Sequence, residues 1–129
     1  MRPYPMLYAV LCYNDEATVF SWTKEEDDAV MGRLEKVHQK WDAKGKLKPS
    51  LRLLPTSAAT TLRKKDDVVL DGPYAETKEQ LLGFYIIDVD SLEEGLEFTR
   101  ELTAANPGGA YELRPIMLYR DGSTPVEPR

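Results

Sequence analysis

Two stretches of the chain, Met6 to Tyr13 and Gly83 to Ile87, are apolar at both parities instead of alternating with polar residues. A strand of that kind shows apolar side chains to both faces of its sheet and is expected to be a covered, central strand. After the first stretch, Asn14-Asp15-Glu16 breaks the pattern. Thr23-Lys24-Glu25-Glu26 then has the spacing of a capping box, with acids in the first turn, and predicts a helix running to Gly45. At 100° per residue, Val30, Leu34, Val37 and Trp41 fall within about 60° of arc, an apolar stripe that packs on the sheet. Arg33, Lys36, Lys40 and Lys44 form a basic ridge on one flank, and His38 lies on the other, one turn from Glu35 and Asp42.

Short strands are predicted at Leu51 to Leu54 and Thr60 to Arg63, around Pro55-Thr56-Ser57-Ala58-Ala59. Lys64 to Asp67 is a polar turn, and Val68 to Leu70 resumes a strand that stops at Asp71-Gly72-Pro73, giving a long bent hairpin. A strand over Gly83 to Asp88 leads to an N-cap at Asp90 or Ser91 and a helix through Leu92, Leu96, Phe98 and Leu102, which ends at Asn106 to Gly109. Ala110 to Tyr119 is the last predicted strand. The order is β-α-β-β-α-β with one extra hairpin, the ferredoxin-like arrangement of an antiparallel sheet with two helices on one face. Residues 1–119 read as one such domain and 120–129 as a polar tail. Two helices cannot cover both faces of the sheet, so a second copy of the chain is the expected cover, in a homodimer.

Composition narrows the function more than the fold. The 129 residues carry a net charge of −5 and lack the basic footprint of nonspecific phosphate binding, so nucleic acid is not an expected partner. The apolar run near the N-terminus is shorter than a membrane span and has no small-residue cleavage site after it, so no membrane partner and a cytoplasmic location are expected. Cys12 is the one cysteine, and its place in the apolar run reads as a packed hydrophobe. One His and one Cys cannot build a Cys/His zinc site, and no Gly-rich phosphate loop or nucleophile elbow is present. Neither a metal nor a cofactor is expected.

The segment Ala59-Thr-Thr-Leu-Arg63, followed by Leu70-Asp-Gly-Pro-Tyr-Ala-Glu-Thr-Lys-Glu-Gln-Leu-Leu-Gly-Phe-Tyr-Ile-Ile-Asp-Val-Asp-Ser-Leu-Glu-Glu94, resembles the DGPF-type proteins of the YCII-related family. Tyr74 stands where Phe is usual and Leu82 where a second Gly is usual. The resemblance implies a ferredoxin-like domain that pairs sheet to sheet as a dimeric α/β barrel. It implies less about activity, since most of the family has no assigned reaction. In the YciI branch a His and an Asp are proposed as an acid-base pair, and a dehydrochlorinase acting on a chlorinated ring-cleavage product resembles that branch. The Asp is matched here by Asp71. The stretch Trp22 to Ala29, where that branch carries its His, has none, and His38 lies about two turns or more further on. Some relatives occur beside or fused to sigma factors of transcription.

Candidate chemistry then divides between a site and a plainer role at each position. Asp71 is a candidate general base in a pocket, or the Asx-type cap of the Asp71-Gly72-Pro73 bend. Tyr74, Glu76, Thr77 and Lys78, with Arg63, are candidate ligands for a small polar or anionic molecule; the alternative is a solvated loop or one paired to the partner subunit. His38 is a candidate acid or base, or half of a solvated His-carboxylate pair. Tyr8, Tyr85 and Tyr111 can line a cavity between sheet and helices, or simply pack. Arg114, like Arg63, can clamp a carboxylate or face solvent. The leading expectation is a small-molecule pocket near Asp71 to Lys78 with lyase-like or hydrolase-like acid-base chemistry. The alternative is a noncatalytic module that binds a sigma factor.

Overall fold

The structure, a computed structural model, describes residues 6–122 and the backbone of 125–126. The elements run β1 (Leu7–Asn14), α1 (Glu16–Val19), α2 (Lys24–Ala43), β2 (Leu47–Arg52), β3 (Thr60–Arg63), β4 (Val68–Asp71), β5 (Gln80–Asp88), α3 (Leu92–Ala105), β6 (Ala110–Pro115), β7 (Tyr119–Arg120) and β8 (Pro125–Val126). Four strands form an open sheet in the order β2-β5-β1-β6, and β1 with β5, β1 with β6 and β2 with β5 all pair antiparallel. The doubly apolar runs are therefore the two central strands, as their pattern requires.

Strand alternation sends Val10 and Ile87 to one face, where they meet Leu34 and Trp41 of α2 and Phe98, Leu102 and Ala105 of α3 in a single core. Trp41 and Phe98 are fully buried and meet edge to face, ring centroids 5.4 Å apart. Both long helices occupy this face. On the other face, Leu11, Phe84 and Ile86 are half-buried, and Leu51 is exposed.

The Thr23 capping box forms as the spacing requires, with the Thr23 hydroxyl accepting from the Glu26 N–H and the Glu26 side chain accepting from the Thr23 N–H. Ser91 caps α3. The basic ridge is exposed, as its spacing implies, and three of its members also reach neighbouring groups. Arg33 Nε donates to the Ala105 carbonyl at 2.8 Å, Lys40 bonds Glu101 at 2.9 Å, and Lys44 Nζ lies 4.2 Å from the Trp41 ring centroid.

The edges of the elements depart from the sequence reading. The strand expected at Leu51 to Leu54 begins earlier, at Leu47, and includes Pro49, which is tolerated because β2 is an edge strand interrupted by a bulge between Leu47 and Ser50. The last strand stops at Pro115 and does not run to Tyr119. Tyr119–Arg120 instead pairs with Pro125–Val126, within the segment read as a polar tail; the rest of that tail, 123–124 and 127–129, lies outside the described residues. Among the described residues, strands β3 and β4 pair only with each other, as a hairpin arm on which Leu62, Val69 and Leu70 are exposed.

Candidate functional site

Beneath α2, beside β5, the helix layer and the sheet leave a cavity of about 310 Å³. Val30, Leu34 and His38 are spaced four apart on α2, so they stack along one line of the helix and form its roof. Cys12, Gly83, Tyr85 and Tyr111 supply the floor from β1, β5 and β6. Trp22 closes one side, after the single turn of α1, and Ser50, Leu51 and Arg52 close another from the edge of the sheet. Gly83 lets that edge approach, because a Cβ there would overlap the Leu51 carbonyl oxygen.

The polar centre of this wall is His38. Its Nε2 lies 2.7 Å from the Tyr85 hydroxyl, and its Nδ1 lies 3.3 Å from Glu35 Oε2; the side chain is 19% exposed. Glu35 accepts, so Nδ1 carries a proton. A neutral ring then accepts a hydrogen bond from the Tyr85 hydroxyl at Nε2, and a protonated ring donates there instead. Burial raises the Tyr85 phenol above its ordinary value and so keeps it a neutral O–H at neutral pH. The Tyr85 ring is fixed edge to face on Phe98, centroids 5.5 Å apart. His38 and Ser50 also line an open groove of about 440 Å³ on the outer side, next to Glu35 and Asp42. The imidazole thus stands between that groove and the inner cavity. It can receive a proton on one side and present it on the other.

Two further groups are set by burial. The Cys12 thiol is pushed up to about 12, which leaves it a protonated packing group rather than a nucleophile. The Tyr111 phenol is likewise pushed up to about 12. At the cavity mouth Arg52 pairs with Asp27 at 2.9 Å. Among the described residues, no three His, Cys, Asp or Glu side chains gather as metal ligands.

The other candidates lie elsewhere. Asp71 is exposed at the end of β4, opposite Thr60, and the bend after it is held by Gly72 N–H on the Ala59 carbonyl and Thr61 Oγ1 on the Gly72 carbonyl. Tyr74 is 85% exposed, and Glu76, Thr77 and Lys78 are exposed with it. Thr77 Oγ1 donates to the Glu79 carbonyl, and Gln80 Nε2 donates to the Thr77 carbonyl, so this run folds on itself. Arg63 lies 3.9 Å from Asp66, and Arg114 pairs with Glu112. None of these residues lines the cavity under α2 or the outer groove. The structure joins His38 and Tyr85, which the sequence placed far apart, and it adds Trp22, Asp27, Ser50 and Arg52.

An α+β chain with an open antiparallel sheet, two long helices on one face and a cavity between the layers is the class these features define. The model of the YCII-related domain family matches residues 6–120, and the chain belongs to that family. An uncharacterized protein of Rhizobium meliloti (strain 1021) is 57% identical over 123 residues, which cover 93% of this chain and 99% of the relative. No helix among the described residues is long and apolar enough to cross a membrane.

Proposed function

We propose that the protein binds a small molecule in the cavity beneath α2 and that His38, backed by Glu35 and paired with Tyr85, exchanges a proton with it. The observation that carries this reading is the 2.7 Å bond between His38 Nε2 and the Tyr85 hydroxyl on the wall of a largely apolar cavity of about 310 Å³. That volume is at the small end of ligand pockets, which span about 300–1,000 Å³, and apolar walls with a few convergent polar groups are their usual make-up. The chemistry open to such a pair is acid-base, of a lyase-like or hydrolase-like kind, because no packed nucleophile is ionised here.

The assembly is part of the same reading. The chain is a ferredoxin-like unit, supported by its element order and the antiparallel strand order β2-β5-β1-β6. A second copy covers the free sheet face and forms a dimeric α/β barrel, and the protein acts in the cytoplasm. In that dimer the exposed arm and the segment from Asp71 to Lys78, with Tyr74 and Arg63, lie where a partner can cover them or share them as ligand contacts.

A thermal-shift screen against small metabolites tests the binding, since a ligand of the native state raises the melting temperature by mass action. Hits that vanish in Val30→Phe, a variant that fills the roof of the cavity while keeping a native circular dichroism spectrum, support it. Hits that persist in Val30→Phe contradict it.

A further inference from the structure

Besides the thiol and phenols that burial keeps protonated, three side chains lining the cavity carry or can carry charge: His38, Asp27 and Arg52. The last two are joined across its mouth in a two-pronged contact. Arg52 Nη2 lies 2.9 Å from Asp27 Oδ1, and Nη1 lies 3.5 Å from Oδ2. Asp27 is in the first turn of α2 and Arg52 is the last residue of β2, so the pair bridges the helix layer and the sheet edge beside Trp22 and Val30.

The Arg52 and Asp27 side chains are 44% and 33% exposed, so solvent screens the attraction between them. Exchanging Asp27 for another carboxylate therefore costs the fold little. The guanidinium fork matches the two oxygens of a planar carboxylate, and Asp27 already shows a carboxylate seated there. Behind the fork the wall is apolar, formed by Val19, Trp22, Val30, Met31, Leu34 and Leu82.

We propose that the ligand of this cavity is a small carboxylate with an apolar body, and that Arg52 is its anchor, released from Asp27 when the ligand enters. The inference rests on the cavity being the binding site and adds the class of ligand. The carboxylate takes the guanidinium at the mouth, the body lies against Trp22 and Val30, and the rest of the molecule extends into the cavity that His38 and Tyr85 also line. Asp27 then acts as a stand-in that keeps the fork oriented when the cavity is empty.

Isothermal titration of the full chain with benzoate, phenylacetate and hexanoate, each beside its neutral amide, tests this directly. Each amide keeps the shape and removes the charge. The expected result is that at least one acid binds about tenfold or more tightly than its amide, the size of a hydrogen bond to a charged group. Arg52→Gln is expected to remove that preference, and Asp27→Asn, which frees the fork, to strengthen the acid. Acids and amides binding alike would overturn the anchor and leave the cavity reading standing. No binding by any acid or amide would overturn both. The comparison on the unaltered protein decides the matter even where a variant fails to fold.

Discussion

At Gly83 the two strands that edge the cavity come together over a missing side chain. A methyl group there meets the Leu51 carbonyl oxygen and the Arg52 Cα, both backbone atoms that cannot swing aside. Gly83→Ala is therefore expected to force β2 away from β5 and to cost about 1–3 kcal/mol, measured as a lower denaturant midpoint. The same substitution at Gly32, where a Cβ would meet nothing within 4 Å, is the control and is expected to be neutral or stabilising. Individual residues were unevenly legible in the sequence. His38 falls at the margin of the apolar stripe, one step from Leu34, and that position is what turns its ring inward to Tyr85. The Asp27–Arg52 pair joins residues 25 apart through a strand edge whose bulge no local pattern announces.

Among the elements, α2 and α3 are held to each other by more than their apolar stripes. Lys40 and Trp41 Nε1 both donate to Glu101, at 2.9 and 3.0 Å, and Lys46 reaches Glu94 at 2.9 Å. Burial works against both carboxylates, yet these donors, with the Asp90 N–H on Glu94, outweigh it and hold both carboxyls below the usual range. A carboxyl whose folded value is depressed stabilises the fold above its unfolded value and loses that contribution as pH falls through the folded one. Stability is thus expected to decline as pH drops below about 4.5, the unperturbed value for these groups. Glu101→Gln should flatten that acid limb, which a series of urea midpoints from about pH 5 to pH 3 would show; an unchanged limb would remove Glu101 from the account. The helices were readable from the sequence because a capping box, an N-cap serine and a 3.6-residue period are local signals. Strand β2 was misplaced because Lys48 and Pro49 interrupt its alternation, and only pairing with β5 holds it as a strand. The one-turn helix α1 is too short to leave a period, and its cap at Asp15 looked like a simple break.

For the whole molecule, the open sheet face and the apolar arm are the surfaces that the proposed dimer would cover. A dimer through these surfaces predicts twice the chain mass in sedimentation, and a shift toward monomer in Val69→Asp, whose side chain is 65% exposed and makes no core contact. A monomeric wild-type chain at micromolar concentration would contradict the dimer and return the arm to solvent. Where a ligand sits is the other question at this scale: the sequence pointed to the segment from Asp71 to Lys78, and the cavity lies under α2. Nuclear magnetic resonance of the labelled protein with a hit from the thermal screen separates the two most directly. A ligand under α2 is expected to shift the Trp22 indole and the amides of Ser50, Gly83 and Tyr85, with His38 ring signals moving together with them. Shifts confined to residues 71–78, with Trp22 and Gly83 unmoved, would contradict it.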